Sequence, residues 1–301
     1  MQEMIFRGVM PPVLTIVDEQ GRLNRQGMAN LLDKLVASAV DGLVILGSAG
    51  EFANAPKELR LEAAEFILDH VKGRKPVYVG VAAPGTADVI EYALHAQTHG
   101  ASGLLIVNPY YARMSEDAIV NHYKLIAEKT NLPIMLYNFP AVSGQDLSPE
   151  LVKRIALAVP SVIGVKDTVD CISHIREMIE CVKSVRPDFR VIAGYDEYLF
   201  SALMLDGDGC IPATANFAPE ITCGIWRAYH EGNYDLAIEL HQKLCRILPV
   251  YRYSTPLHSA VKEAVLLTGT DISTAVLAPC IATSADGIAA IKRILQENDI
   301  I

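Results

Sequence analysis

Short apolar runs recur along the chain, and each ends in glycine, proline or a polar residue. Most are continuous rather than alternating, which is typical of parallel strands covered on both faces. Successive runs are separated by about thirty residues, roughly the length of a strand–helix–strand crossover. Eight runs are present: GVMPPVLTIV (8–17), GLVILGS (42–48), PVYVGVAA (76–83), GLLIVNP (103–109), PIMLYNFP (133–140), VIGVKD (162–167), RVIAGYD (190–196) and GCIPATAN (209–216).

Helical patterns lie between these runs, and Ser115 and Ser148 are placed to cap two of them. The alternation predicts an α/β fold, a (β/α)8 TIM barrel. An open doubly wound sheet would give the same alternation. Eight units, and the lack of a glycine-rich phosphate fingerprint after the first run, favour the barrel.

The region after the eighth run is helical throughout, with one helix that completes the barrel and three that follow it. We therefore expect residues 1–230 to form the barrel, including the active site. Residues 231–301 are expected to form a C-terminal helical extension.

Composition narrows the range of functions. The chain has 301 residues, 51% of them apolar, and a formal net charge of -9. This acidity argues against nucleic acid and anionic membranes, which are bound through basic patches. No apolar run reaches the roughly 18 residues of a membrane span, and residues 1–10 lack the pattern of a signal peptide. The six cysteines contain no CxxC pair, so we expect reduced thiols in a cytoplasmic protein.

The active site of such a barrel lies at the carboxyl ends of its strands. All eight histidines fall instead in helical segments, where we expect surface or helix-packing roles. The sequence has no HxH, no HExxH and no carboxylate cluster at metal spacing, so we expect chemistry without a metal. The residues at or just after the strand ends are Ser48, Ala49, Asn108, Tyr111, Tyr137, Asn138, Lys166, Asp196 and Ile211.

The sixth run places an amine at the mouth of an apolar core, because Val162, Ile163 and Val165 predict a buried strand that ends at Lys166. As a cation, this lysine would bind an anion or pair with an acid such as Asp167. As a neutral amine, it would attack a carbonyl to form a Schiff base. Position alone leaves both interpretations open.

Tyr137 ends the preceding strand, so we expect it beside Lys166, where a phenol could relay protons. A core tyrosine with a satisfied hydroxyl is the alternative. The GSAGE turn (47–51) offers backbone N–H groups and the Ser48 hydroxyl, which could hold a carboxylate.

Taken together, these segments resemble the superfamily of dihydrodipicolinate synthase and N-acetylneuraminate lyase, which are pyruvate-dependent class I aldolases. The resemblance covers nearly the whole chain and rests on GSAGEF, NPYY, YNFP, GVKDT and GCIPATAN in this order and spacing. It implies a small 2-keto acid and an aldehyde as substrates, with no metal or organic cofactor. It also implies a homotetramer built as a dimer of dimers.

The resemblance assigns roles to individual residues. Lys166 would form the imine with the pyruvyl ketone, and Tyr137 would relay the proton. Ser48 and Ala49 would hold the pyruvyl carboxylate. Tyr111 would reach the site of a neighbouring subunit.

The expected aldehyde follows from two positions at which this sequence differs from the dihydrodipicolinate synthases. They carry an arginine for a carboxylated aldehyde where this chain has Val142, and a threonine where it has Ala49. Thr168 and the GYDE segment resemble hydroxyl-binding groups of the sialate lyases, and the YNFP and GVKDT regions look most like 2-keto-3-deoxygluconate aldolases. We therefore expect cleavage of a 2-keto-3-deoxy sugar acid to pyruvate and a glyceraldehyde-type aldehyde. The expected substrate-binding residues are Ser48, Ala49, Val142, Thr168, Asp196, Glu197 and Ile211.

Two alternatives remain at this stage. One is a dihydrodipicolinate synthase or another 2-keto acid lyase, such as one acting on 4-hydroxy-2-oxoglutarate. The other is a catalytically silent ligand-binding regulator on the same barrel. The presence of Lys166, Tyr137 and Tyr111 argues against the regulator.

Overall fold

The structure, a computed structural model, describes residues 6–301, and residues 1–5 of the segment predicted to lack a signal peptide lie outside the described residues. Eight parallel strands lie side by side in the order β1-β8-β7-β6-β5-β4-β3-β2. The strands are β1 (Gly8–Val9), β2 (Leu43–Ile45), β3 (Val77–Gly80), β4 (Gly103–Val107), β5 (Ile134–Asn138), β6 (Val162–Asp167), β7 (Arg190–Ala193) and β8 (Gly209–Cys210).

The sheet closes into a ring between the segment that follows β1 and strand β2. Val13 N donates to Val44 O at 2.7 Å, and Val44 N donates to Pro11 O at 3.0 Å. The first strand is shorter than its apolar run because Pro11 and Pro12 have no N–H to donate to a ladder. Pro12 still pairs with Val44 as an isolated parallel bridge. The predicted (β/α)8 barrel is confirmed.

Helices surround the ring and alternate with the strands. Ser115 Oγ accepts from Ala118 N and Ser148 Oγ accepts from Leu151 N, so both predicted caps form. The helices are α1 (Arg25–Ala37), α2 (Lys57–Val71), α3 (Thr86–Thr98), α4 (Glu116–Ala127), α5 (Pro140–Ser143), α6 (Pro149–Ala158), α7 (Ile172–Lys183), α8 (Tyr198–Met204), α9 (Pro219–His230), α10 (Tyr234–Ile247), α11 (His258–Leu267) and α12 (Ala285–Glu297).

Successive side chains on a strand point to opposite sides of the sheet, and this separates two apolar cores. On β5, Met135 and Tyr137 belong to the cluster inside the ring. Their neighbours Ile134 and Leu136 belong to the cluster between the sheet and the helices. Since Tyr137 is in register with Lys166 on β6, the same alternation directs the Lys166 side chain into the barrel.

The C-terminal region has the predicted helices α10 to α12, together with a 3₁₀ turn at Leu248–Tyr253. Their apolar residues join the outer core of the barrel. The predicted division at residue 230 coincides with the end of α9, and the separation into two units stays a prediction. Within residues 6–301, no helix combines the length and apolarity that crossing a membrane requires.

Candidate active site

Lys166 lies at the carboxyl end of β6 with 5% of its surface exposed. Its Nζ is 4.3 Å from the centre of the Tyr137 ring. Among residues 6–301, no carboxylate oxygen lies within 4.0 Å of this ammonium group. The ion pair with Asp167 that the sequence leaves open is therefore not formed, and the amine faces an aromatic ring instead.

Asp167 is turned away from Lys166 because it is the next residue on the strand. It is fully buried, with Oδ1 accepting from Asn138 Nδ2 at 2.9 Å and Oδ2 lying 2.7 Å from His174 Nδ1. Asn138 Nδ2 also donates to Asp146 Oδ1 at 2.9 Å. We call Asn138, Asp146, Asp167 and His174 the outer clasp. It joins the ends of β5 and β6, and so fixes Tyr137 and Lys166 side by side.

His174 therefore does more than pack a helix, which is all the sequence predicts for it. Burial lowers the pKa of His174, but its hydrogen bonds and charge interactions with Asp146 and Asp167 outweigh burial and raise the pKa to about 10. The ring is thus an imidazolium at neutral pH. A partly buried cation is thus present near the site, but its partners hold it on the outer side of the strands.

Ser48 and Ala49 lie in the turn that follows β2. The Ser48 hydroxyl is 3.3 Å from the Tyr137 hydroxyl, so the two can share a proton. Ala49 is 7% exposed. The turn is fixed from inside the protein, because Thr15 Oγ1 donates to Gly50 O at 2.7 Å. The structure thus brings together Lys166, Tyr137 and Ser48 as predicted.

Glu51 ends this turn and is a residue that sequence reasoning missed. It is 2% exposed, contacts the Lys262 ammonium group and accepts from Leu277 N at 2.8 Å. Lys262, on α11, is fully buried and also donates to Ala275 O at 2.7 Å. Burial lowers the pKa of Lys262, and the charge of Glu51 opposes this. The extension thereby braces the turn that carries Ser48.

Asp196 requires a correction. The sequence predicts that it binds substrate, but its carboxylate is buried and used within the protein. Oδ1 accepts from Ala213 N at 3.2 Å, and Oδ2 accepts from Thr214 N at 2.9 Å, Thr214 Oγ1 at 2.6 Å and Tyr251 Oη at 2.7 Å. Burial raises the pKa of Asp196, and these hydrogen bonds oppose it. We therefore assign Asp196 to holding the loop after β8.

Thr168 and Glu197 keep polar atoms available. Thr168 is 5% exposed, and its buried Oγ1 has no hydrogen-bond partner in the described part of the chain. A Cβ at Gly194 would lie 1.9 Å from this oxygen, so only glycine leaves it room. Glu197 is half-buried, and burial raises its pKa, with the charges of Asp196 and Asp170 adding to the effect.

The other predicted residues occupy three kinds of position. Ile211 is 1% exposed and belongs to the apolar cluster inside the ring. Val142 lies on the short helix α5 and is 65% exposed. Tyr111 is fully exposed and has a φ of 79°, in the left-handed region that few non-glycine residues adopt. In a single chain, Tyr111 therefore projects outward.

Two groups of ligand-type side chains converge within residues 6–301. One comprises Glu51, His258 and Cys280, and the other comprises Glu65, His95 and His99. Neither group contains Lys166 or Tyr137. The chemistry available at the strand ends is that of an amine, a phenol and a hydroxyl.

The sequence profile of the Dihydrodipicolinate synthetase family matches residues 5–298. The chain belongs to this family. The superfamily resemblance drawn from the motifs is confirmed, and so is the expectation of a TIM barrel with a C-terminal helical region.

Two Escherichia coli K12 relatives are similar along nearly their whole length. The "Putative 2-dehydro-3-deoxy-D-gluconate aldolase YagE" is 42% identical over 296 residues, which cover 98% of each chain. The "Probable 2-dehydro-3-deoxy-D-pentonate aldolase YjhH" is 41% identical over 281 residues, covering 93% of each.

Solved structures agree with the fold. The crystal structure of YagE in complex with pyruvate superposes with a TM-score of 0.97 at 41% identity, covering 99% of this chain and 100% of that one. A monomeric dihydrodipicolinate synthase variant has a TM-score of 0.93 at 29% identity, covering 99% and 98%. The second example shows that oligomeric state varies on this fold.

Proposed function

We propose that the protein is a Schiff-base aldolase that reversibly cleaves a 2-keto-3-deoxy sugar acid into pyruvate and an aldehyde. The observation that carries the proposal is the pairing of Lys166 with Tyr137. A buried amine that has no acid partner among the described residues lies against a phenol, and that phenol shares a hydrogen bond with Ser48. Similarity to the two Escherichia coli sugar-acid aldolases supports the substrate class.

The reaction begins with attack of the Lys166 amine on the C2 ketone. Loss of water gives an imine, which becomes an electron sink when protonated. Tyr137 gives its phenolic proton to the C2 hydroxyl that leaves as water, and the resulting phenolate then accepts the C4 hydroxyl proton, with the Ser48 hydroxyl 3.3 Å away to donate a hydrogen bond to it. The C3–C4 electron pair flows to the iminium, and the aldehyde leaves. The enamine is protonated at C3, and water then releases pyruvate and regenerates Lys166.

The turn after β2 is proposed to hold the pyruvyl carboxylate through Ser48 and the backbone at Ala49. Its position does not depend on the substrate, because Glu51 is tied to Lys262 and Gly50 to Thr15. A turn fixed in this way orients the ketone towards Lys166 without an ordering cost at binding.

The aldehyde portion is proposed to be a neutral polyol. Thr168 offers a buried hydroxyl that has no hydrogen-bond partner within residues 6–301, and Glu197 offers a half-buried carboxyl group. Val142 on the exposed helix α5 provides no charge for a second carboxylate. A carboxylated aldehyde would gain no charge-assisted hydrogen bond at that position, so it is disfavoured here.

The assembly is proposed to be a homotetramer in which Tyr111 reaches a neighbouring subunit. A tyrosine that is fully exposed on a left-handed residue makes no use of its ring within one chain. Analytical ultracentrifugation tests this assembly. A Tyr111→Ala variant should keep its stability as a single chain and lose activity only if the ring completes another site.

A screen of 2-keto-3-deoxy sugar acids for pyruvate release tests the function. We expect release from at least one C5 or C6 acid, and pyruvate with borohydride should leave a covalent adduct that peptide mapping places on Lys166. Turnover should survive prolonged chelation. If pyruvate forms no adduct at all, the protein is better described as a ligand-binding regulator.

A further inference from the structure

The two groups of ligand-type side chains differ in what already surrounds them. In the group of Glu51, His258 and Cys280, the Lys262 ammonium contacts the Glu51 carboxylate directly. That carboxylate is therefore neutralised by the protein itself. In the group of Glu65, His95 and His99, no residue of the described chain makes a side-chain hydrogen bond or ion pair with any member. Only this second group is free to take a cation.

The spacing of the two histidines is suited to sharing a ligand. His95 lies in the last turn of α3 and His99 caps the same helix, so they are four residues apart and lie on one face. Their ring centres are 4.4 Å apart. Glu65 faces them from the neighbouring helix α2. One potential ligand atom from each residue lies within 4.8 Å of the other two.

Two nearby acids on the same helices have cationic partners, whereas Glu65 has none within the described residues. Glu62 pairs with Arg25 at 2.7 Å, and Glu91 pairs with Lys57 at 2.6 Å. Glu65 instead points its carboxylate towards two imidazoles. Two imidazoles and one carboxylate form a ligand set that borderline divalent metals such as zinc prefer.

The position of the group separates it from the reaction. Barrel helices run opposite to the strands, so the carboxyl ends of α2 and α3 lie at the end of the barrel remote from Lys166. A cleft of about 440 Å³ opens there beside His99 and gives access from solvent. The residues lining it are Leu68, Asp69, Lys72, Gly73, His99 and Gly100.

We propose that Glu65, His95 and His99 form a binding site for Zn²⁺ that links α2 to α3, with water as the fourth ligand. Tetrahedral zinc with bonds of 2.0–2.1 Å needs ligand atoms about 3.3 Å apart. The ligand atoms here lie within 4.8 Å of one another, and the exposed Glu65 side chain can rotate to bring its carboxylate closer to the two imidazoles. The metal stabilises the folded chain because it binds the native arrangement of two helices, and it takes no part in aldol chemistry.

Calorimetric titration of the metal-free protein with Zn²⁺ tests the site. We expect one tight equivalent for the wild type and at least tenfold weaker binding for His99→Asn. Zn²⁺ should raise the melting temperature of the wild type and leave that of His99→Asn nearly unchanged. The exposed Glu65→Gln variant should weaken binding in the same direction. The melting temperature of metal-free Glu65→Gln, compared with that of the metal-free wild type, checks that the fold of the variant is intact.

Cys245→Ser is the matched control, because His241 and Cys245 form the competing pair four residues apart on α10, with 3.7 Å between Nε2 and Sγ. This variant should bind Zn²⁺ like the wild type. The proposal is overturned if His99→Asn binds as tightly as the wild type, or if Cys245→Ser loses the tight equivalent. Failure of the wild type to bind Zn²⁺ at 100 µM, roughly a thousand times a tight site's Kd, would also overturn it.

Discussion

Two lysines are buried within residues 6–301, and they differ in what surrounds the amine. Lys262 contacts Glu51 and donates to a backbone carbonyl, so its charge is fully compensated. Lys166 has an aromatic ring on one side and, within the described residues, no carboxylate near enough to form an ion pair. A buried cation that is paired with an acid, such as Lys262, stabilises the fold. A buried amine without one is available to a substrate.

The same contrast explains where the acids near Lys166 are used. Asp167 is the adjacent residue, but the strand directs it outward to His174. Asp196 accepts hydrogen bonds from Thr214 and Tyr251. Both of these acids are thus engaged elsewhere, and the amine is left for chemistry.

The strongest test of this comparison replaces each lysine with methionine, which has a similar length and no charge. Lys166→Met should lower kcat on the order of 10⁶-fold, as loss of a nucleophile does. It should also abolish the borohydride adduct with pyruvate. Its free energy of unfolding should not fall, because no acid is left unpaired. A variant that keeps measurable turnover would remove Lys166 from the mechanism.

Tyr137→Phe sharpens the comparison by keeping the ring and deleting the hydroxyl. We expect the imine to form and kcat to fall roughly 10²- to 10⁴-fold, the usual cost of losing one acid–base group. Trapping with borohydride measures the first step separately from turnover. Ser48→Ala, which removes the neighbouring hydroxyl, should have a smaller effect in the same direction.

The two lysines also differ in how visible they are in the sequence. Lys166 follows an apolar run directly, and its neighbour Tyr137 ends the previous run, so local pattern and barrel geometry predict the pair. The partners Glu51 and Lys262 are 211 residues apart. No periodicity or motif connects them, because their contact depends on how the extension folds back onto the barrel.

Asp196 illustrates the opposite error. Its position after a strand predicts a role at the strand ends, but does not show which groups its oxygens bind. The hydroxyl of Tyr251 comes from the extension and occupies one of them. The end of a strand can therefore be located from an apolar run in the sequence. The hydrogen-bond partners of a polar side chain at that end depend on segments that are distant in the sequence.

Lys262→Met tests the structural half of the comparison. It leaves the Glu51 carboxylate buried without its partner, and breaking such a pair typically costs about 3–5 kcal/mol of folding free energy. Urea denaturation measures the loss. The double variant Glu51→Gln/Lys262→Met should recover much of it, since no charge remains buried. If Lys262→Met has the same free energy of unfolding as the wild type, Lys262 does not stabilise the fold through Glu51, and the proposed contrast with Lys166 is wrong.

The His174 imidazolium extends the comparison to a partly buried cation. The folded-state pKa is raised to about 10, above the unfolded value of about 6.5. Its contribution to stability is therefore complete below about pH 6.5 and is lost as pH rises towards 10. Between these limits the wild type should lose on the order of 1–2 kcal/mol relative to His174→Gln. If the free energies of unfolding of the wild type and of His174→Gln change with pH in the same way, the outer clasp does not hold a charged His174 ring.

Val142→Arg makes the smallest change, because it adds a cation at the exposed rim of the site. The wild type should favour glyceraldehyde over aspartate semialdehyde in condensation with pyruvate by at least about tenfold, or roughly 1.4 kcal/mol in transition-state binding. An arginine on α5 can pair with the semialdehyde carboxylate, so the variant should narrow this ratio.

The gap should not close completely, because Ala49 still lacks a hydroxyl and Val142 lies where solvent screens a charge. Val142→Gln is the control for side-chain length, and it should leave the ratio of kcat/KM values near that of the wild type. Equal use of both aldehydes by the wild type would contradict the sugar-acid assignment and favour a dihydrodipicolinate synthase. If only Val142→Arg lowers the ratio of kcat/KM for glyceraldehyde over aspartate semialdehyde, the added guanidinium at the rim binds the substrate carboxylate. A cation with no protein partner would then be available to the substrate there, just as the Lys166 amine is at the centre of the site.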